Sequence, residues 1–237
     1  MSYLGKETRF TWLGHSTFLI ETPSGRRVVL DPWLAGNPKC PDRFKKIDAV
    51  DLVLVTHGHF DHIADAVPLA QRCGAAIVCN FEISCWLAQK GVKTAIAMNK
   101  GGTVEACGLQ ITMTHAFHSS TIEDDGKLIP GGEPAGYVIE TENEFRFYCA
   151  GDTDVFGDMK LIGELHRPLL AILPIGDRFT MGPRGAAKAA ALLGVHDVIP
   201  CHWGTFDQLT GTPQQLRAAI GNLPINVHAL APGEALE

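Results

Sequence analysis

A chain of 237 residues with 46% hydrophobic and only 19% charged residues has the apolar content for a substantial core, which excludes disorder as a global description. Lys plus Arg number 20 against 26 Asp plus Glu, a net charge of −6, so composition offers no electrostatic footprint for nucleic acid or an anionic membrane. No stretch approaches the ~18 apolar residues of a membrane span, the first ten residues lack the apolar core of an export signal, and the seven cysteines contain no Cys-x-x-Cys pair. The expectation is a cytoplasmic protein of one domain, residues 1–237, with reduced and mostly buried thiols.

Short apolar or alternating runs at Arg9 to Leu13, Thr17 to Glu21 and Arg27 to Leu30 read as strands, with Gly14 and Ser24-Gly25 as turn signals between them. Asp51 to Val55 is a continuous apolar strand, and Ile63 to Arg72 reads as a helix stopping at Gly74. Ala76 to Cys79 is a strand, followed by a helix over Phe81 to Lys90 that enters from Asn80 and leaves through Gly91, then a strand at Thr94 to Ala97. Thr103 to Ala106 and Leu109 to Thr114 form a hairpin about Cys107-Gly108. Ala116 to Gly136 reads as a long irregular loop containing Glu123-Asp124-Asp125, a length that suggests a functional lid. Further on come a hairpin (Gly136 to Glu140, Phe145 to Cys149), a strand at Leu169 to Pro174, an Ala-rich helix over Gly185 to Leu193 and a strand at Asp197 to Cys201. The last helix is announced by a capping box, Thr212-Pro213-Gln214-Gln215, and closes at Gly221. Strands and helices interleave in both halves, so the class is mixed α/β, and two sheets between outer helices are the natural way to bury it.

The chemistry concentrates in Thr56-His57-Gly58-His59-Phe60-Asp61-His62. Three imidazoles and a carboxylate between His57 and His62 suit a borderline divalent ion: zinc first, then manganese, with iron last. In extended backbone His57 and His59 point to the same side and can grip one ion. Asp61 and His62 are adjacent, converge only in a turn, and could serve a second ion.

Asp31, His57, Asp152 and His202 each sit one to three residues beyond an apolar strand, and His118 a few residues beyond another. Strand ends are where loops converge on rigid supports, so these positions read as one site assembled from distant segments. Spacing alone leaves His115 and His118 equal as candidates. Asp152 could equally be a turn residue, and His202 a satisfied core histidine. His166, His196 and His228 have no comparable context. Cys149 and Cys201 lie close to candidate ligands, although packing is the better account of them.

The stretches Trp12-Leu13-Gly14-His15-Ser16, Leu30-Asp31-Pro32, Thr56 to His62, Ala150-Gly151-Asp152-Thr153, Leu173-Pro174-Ile175-Gly176-Asp177 and Pro200-Cys201-His202-Trp203-Gly204-Thr205 together carry a resemblance. The sequence resembles the metallo-β-lactamase-fold superfamily, and within it the compact metal-dependent hydrolases related to L-ascorbate-6-phosphate lactonase. The resemblance implies a four-layer αββα sandwich with the site at one edge. It implies His57, His59 and His118 on one metal, Asp61, His62 and His202 on a second, and Asp152 bridging them. It prefers His118 to His115, because the family places its ligand just before Ser. Asp31 is then the residue that orients a ligand histidine.

Two such ions about 3.5–4 Å apart would generate hydroxide at neutral pH and stabilise the charge developing in an ester, lactone or phosphoester substrate. Asp61 would orient or accept the proton of the attacking water, beside the bridging Asp152. His15, in a Gly-His-Ser setting shared with the resembling family, is the first choice for a substrate contact, and Arg178 and Arg184 could hold a substrate carboxylate or phosphate. The expected partner is a small and possibly anionic metabolite, with neither nucleic acid nor membrane, and a homo-oligomer is compatible with the chain. The alternatives are a phosphodiesterase or nuclease of the same fold, or, in a different class, an iron-containing redox protein. Di-iron electron-transfer relatives carry Glu where this chain has His59, which favours hydrolysis.

Overall fold

The computed structural model describes residues 7–237; the first six residues, part of the segment read above for an export signal, lie outside the described residues. The chain begins with β1 (Arg9–Trp12), β2 (Phe18–Glu21), β3 (Arg27–Leu30) and β4 (Leu52–Leu54), followed by α1 (Phe60–Ile63) and α2 (Ala66–Cys73). Next come β5 (Ala76–Asn80), α3 (Phe81–Gln89), β6 (Ala95–Met98), β7 (Thr103–Ala106), β8 (Leu109–His115), β9 (Thr121–Asp124), β10 (Lys127–Pro130), β11 (Ala135–Glu140) and β12 (Arg146–Cys149). The chain closes with α4 (Met159–His166), β13 (Leu170–Pro174), α5 (Pro183–Leu193), β14 (Asp197–Cys201), α6 (Pro213–Ile220), β15 (Asn226–Val227) and β16 (Ala235–Leu236).

Two seven-stranded sheets result, in the orders β16-β1-β2-β3-β4-β5-β6 and β15-β14-β13-β12-β11-β8-β7. Each is antiparallel in one half and parallel in the other, the parallel runs being β3 to β6 and β12 to β15. The parallel strands β4, β13 and β14 are buried at every position, which is why they read as unbroken apolar runs. The sheets pack face to face through Phe10, Phe18, Leu30 and Leu54 from one and Ile111, Tyr137, Phe147 and Ile172 from the other. Helices α2 and α3 cover the outer face of the first sheet, and α4, α5 and α6 that of the second. This is the αββα sandwich. The seven cysteines are all free, and Cys149 and Cys201 belong to the core between the sheets.

The helix limits follow local signals. Asn80 Oδ1 accepts from the Ile83 backbone N–H at 2.8 Å to start α3, Thr212 and Gln215 complete the reciprocal capping box of α6, and Gly74 and Gly194 end α2 and α5 in the left-handed conformation.

Three expectations need correction. The Ile63 to Arg72 helix is two helices, because Asp65 turns its carboxylate away to accept from the backbone of Leu34 and Ala35 at 2.6 and 3.1 Å. The 116–136 segment is not an open lid. Its central part is the β9–β10 hairpin, closed by Asp125 and Gly126 with φ of 50° and 73°, the signature of a tight primed turn. Trp86 donates to Asp124 at 3.0 Å, Asn80 Nδ2 donates to the carbonyls of Gly131 and Glu133, and Ile122 is fully buried. The hairpin is therefore seated on α3. Finally, α4 escaped the sequence reading because Gly163 interrupts it. That glycine is where the backbone of α4 meets the end of α5: a Cβ there would lie 2.3 Å from the Leu193 carbonyl oxygen.

Gly163→Ala tests this packing by its sign. In an ordinary helix interior the change stabilises by about 0.5–1 kcal/mol, whereas overpacking typically costs about 1–3 kcal/mol. The expected outcome is a fall of several degrees in Tm; a rise would contradict the close approach of α4 to α5.

Candidate metal centre

Five loops, each leaving the C-terminal end of a strand, bring the site together. Asp31 follows β3, the His57 to His62 stretch follows β4, His118 follows β8, Asp152 follows β12 and His202 follows β14. The backbone is unusual at these points: Asp31 and His202, together with His15, are non-glycine residues with φ of 46°, 52° and 56°. Left-handed backbone at a non-glycine residue costs on the order of 1–3 kcal/mol and is characteristic of functional sites. Gly151 precedes Asp152 because a Cβ there would lie 2.7 Å from the Ala135 carbonyl oxygen and 2.9 Å from Thr56 Cβ.

Asp31 is the anchor of the set. Its Oδ1 accepts from the Thr56 backbone N–H at 2.8 Å, and its Oδ2 accepts from the Thr56 hydroxyl at 2.7 Å and from His62 Nδ1 at 2.8 Å. Since the Thr56 proton is committed to the carboxylate, Thr56 Oγ1 can only accept from His57 Nδ1, 3.0 Å away. His57 and His62 thereby both spend Nδ1 on the protein and turn Nε2 inward. The resemblance implies that Asp31 orients one ligand histidine; through Thr56 it orients two candidates.

The first group of donors is His57 Nε2, His59 Nδ1 and His118 Nε2. His59 Nδ1 lies 3.0 Å from His57 Nε2 and 3.3 Å from His118 Nε2. Such separations approach the roughly 3.4 Å edge of a tetrahedron of nitrogens about 2.1 Å from zinc. The structure also resolves the choice left open by spacing, because His115 packs edge-on against Phe117 and Phe156, at 4.7 and 5.6 Å, away from this group. The loop bearing His118 is tied to that of Asp152 by Phe117 N–H to Thr153 Oγ1 (2.9 Å) and Asp154 N–H to the Phe117 carbonyl (3.1 Å).

A second group contains Asp61, His62 and His202, together with His15, and a third joins His57 and His62 to Asp152. Asp152 Oδ2 lies 3.0 Å from His202 Nε2, 3.3 Å from His62 Nε2 and 3.7 Å from His118 Nε2. Burial alone would raise Asp152, but the imidazoles of His202 and His62 reverse that and hold it well below the usual carboxylate range. Burial alone would lower His62, and the carboxylates of Asp152, Asp31 and Asp61 instead draw it well above its usual value. Even so, His62 Nε2 and Asp152 Oδ1, both buried, find no hydrogen-bond partner among the described residues. Buried polar atoms are rarely left without partners. Inward-facing imidazole nitrogens beside two carboxylate groups form a donor set that fits divalent cations, and a bound cation would supply the missing partners.

His15 departs from its expected role. It is fully buried, its Nε2 sits 2.8 Å from Asp61 Oδ2 and its Nδ1 3.0 Å from Thr205 Oγ1. Burial and the neighbouring His202 push it down to about 4 despite Asp61, so it is neutral at neutral pH. It sits behind Asp61 and is not among the residues that line the cleft. Neither arginine reaches the candidate ligands directly. Arg184 lines a separate hollow with Pro183, Gln215, Ala218 and Ala219, and Arg178 lays its guanidinium on the Phe179 ring, 5.5 Å from the centroid.

The metal-ligand candidates open into a cleft of about 420 Å³ lined by His59, Phe60, Asp61, His118, Ser119, Asp152, Phe179, His202, Phe206 and Gln208. Sequence reading missed its aromatic wall, since isolated phenylalanines carry no pattern. Thr56 and Thr205 lie in stretches the sequence singles out, but nothing in the sequence gives either a role, whereas Ser119 and Ser120 read there as supporting polar groups. The Ser120 hydroxyl accepts from the Gly58 N–H at 3.0 Å, and Gly58 itself has no room for a Cβ, which would lie 2.7 Å from Ile122 Cγ1.

Fold and donor set define a metallo-hydrolase-like centre, and comparison with known proteins places it. Residues 26–203 match the model of the beta-lactamase superfamily domain. The UPF0173 metal-dependent hydrolase of Rubrobacter xylanophilus is 51% identical over 97% of this chain and 96% of its own length, and that of Methanopyrus kandleri 47% identical over 97% and 99%. Among solved structures, Igni18, a metallo hydrolase of Ignicoccus hospitalis, superposes with a TM-score of 0.85 at 36% identity, covering 97% of each chain. The chain belongs to the beta-lactamase superfamily, among its UPF0173 metal-dependent hydrolases.

Asp31→Asn, similar in size, replaces an acceptor oxygen with a donor that His62 and Thr56 cannot use. Loss of such an orienting partner typically costs about 10–100-fold in metal affinity. Metal titration of the purified variant should show a loss of that size; unchanged affinity would contradict the role of Asp31.

Proposed function

We propose that this protein is a binuclear metal-dependent hydrolase that cleaves an ester, lactone or phosphoester bond in a small metabolite. His57, His59 and His118 would hold one ion and Asp61, His62 and His202 the other, with Asp152 shared between them. The observation that carries this reading is the placement of Asp152, whose Oδ2 lies within 3.7 Å of an imidazole nitrogen from each group while Oδ1 has no partner among the described residues. Zinc suits this imidazole-rich set best, with manganese second and iron third.

When bound, divalent ions lower the pKa of a coordinated water towards 7 and polarise the scissile group. The protein's own contribution is positioning. Burial would raise Asp61, yet His62 and His15 bring it below the usual carboxylate value. A carboxylate so fixed is a poor store for a proton at neutral pH and a good acceptor for orienting a water. His15 fixes it further by donating Nε2–H to Oδ2, with Nδ1 accepting from Thr205. Asp152 is 97% buried and cannot turn away to solvent.

Asp152→Ala is expected to reduce hydrolysis by at least 100-fold and to lose one or more metal equivalents by elemental analysis, with the circular-dichroism spectrum preserved. Unchanged activity and metal content would sink the two-metal reading. Chelation of the unmodified protein should abolish turnover, and returning zinc or manganese should restore it; activity that survives complete removal of metal would contradict the proposal.

A further inference from the structure

The cleft has an aromatic wall, and its basic side chains among the described residues are the histidines of the candidate ligand set. Phe60 and Phe179 are each 52% exposed, and both line the cleft with Phe206. Phe60 and Phe206 are not loose rings. Each packs on the buried Trp33, at centroid distances of 5.6 and 5.9 Å, and Phe206 also meets His15 edge-on at 5.5 Å. Exposed aromatic side chains held in fixed orientations beside a polar centre are the usual makings of a small-ligand site, and 420 Å³ falls towards the lower end of such sites.

The charges point the same way. Among the described residues no Lys or Arg lines the cleft. Arg178 is exposed on the rim, its guanidinium 5.5 Å from the centroid of the Phe179 ring and outside the lining itself, on a turn where Asp177 and Arg178 both have positive φ, and Arg184 faces a different hollow. A phosphorylated ester or lactone, cleaved at its acyl bond, presents a phosphate away from the bond being broken. Nothing in the protein lining of this cleft would neutralise it. The polar groups available beyond the ligand candidates are Ser119 and Gln208, which suit neutral hydrogen-bonding groups.

We infer that the preferred substrate is an uncharged ester or lactone with an aromatic group beside the scissile bond, seated against Phe60, Phe179 and Phe206. This narrows, and rests on, the hydrolase reading above. The reaction balances as ordinary hydrolysis: water adds its oxygen to the acyl carbon, the bond from acyl carbon to alkoxy oxygen breaks, and the alkoxy oxygen leaves with a proton. A lactone opens to the hydroxy acid by the same step.

The experiment compares the zinc-loaded protein on methyl acetate, methyl phenylacetate, benzyl acetate and phenyl phosphate. Benzyl acetate and methyl phenylacetate place the ring on opposite sides of the ester. At least one should exceed methyl acetate by about tenfold or more in kcat/KM, the scale expected for burying a phenyl group, and that ratio should fall towards one in Phe179→Ala and Phe206→Ala. Equal rates for all three esters, or faster turnover of phenyl phosphate, would overturn the inference while leaving hydrolysis intact. Failure to hydrolyse any of the four by a protein shown to hold its metal would count against the hydrolase reading. The cleft is then judged by calorimetric binding of phenylacetamide and acetamide. Tighter binding of the phenyl compound, lost in Phe179→Ala, supports the ligand class, and equal binding overturns it.

Discussion

One buried carboxylate holds the centre in shape. Asp31, at the end of β3, receives three hydrogen bonds from the segment after β4 and so fixes two imidazoles at once, His62 directly and His57 through Thr56. Because the two strands are parallel neighbours, their ends move as one rigid body. The inner nitrogens of both rings therefore face the site without a separate ordering cost for each side chain. Deleting such a partner leaves buried donors unsatisfied, a cost of about 1–3 kcal/mol each, out of a net stability typically near 5–15 kcal/mol.

From that anchor the remaining donors are placed by topology. The parallel halves of the two sheets end at the same edge of the sandwich, and the loops after β3, β4, β12 and β14 meet there, joined by the loop after β8. Convergence brings strain: the backbone turns left-handed at His15, Asp31 and His202, and polar atoms such as His62 Nε2 and Asp152 Oδ1 are buried without partners among the described residues. A cation gives those atoms what the protein withholds. Binding of metal to this centre is accordingly coupled to the stability of the fold as well as to chemistry.

Much of this arrangement was legible in the residue order. Apolar runs ending one to three residues before Asp31, His57, Asp152 and His202 encode the strand-end geometry, and the His-x-His-x-Asp-His spacing encodes the ligand cluster. The illegible parts share one physical reason: they depend on contacts between distant segments. Gly163 looks like a break in a helix until Leu193 is seen beside it. The Asp125-Gly126 turn carried a hairpin signal that the length of the surrounding segment obscured. His15 has the local setting of a substrate contact, yet Thr205 and Asp61, far away in sequence, occupy both of its nitrogens. Phe60, Phe179 and Phe206 become a wall only when Trp33 and the loops after β13 and β14 are folded around them.

In the proposed centre two cations share Asp152. Anomalous scattering from crystals grown with zinc tests it most directly. The account predicts two peaks about 3.5–4 Å apart, one among His57, His59 and His118 and one among Asp61, His62 and His202, with Asp152 between them. A single fully occupied peak, or metal bound away from Asp152, would contradict it.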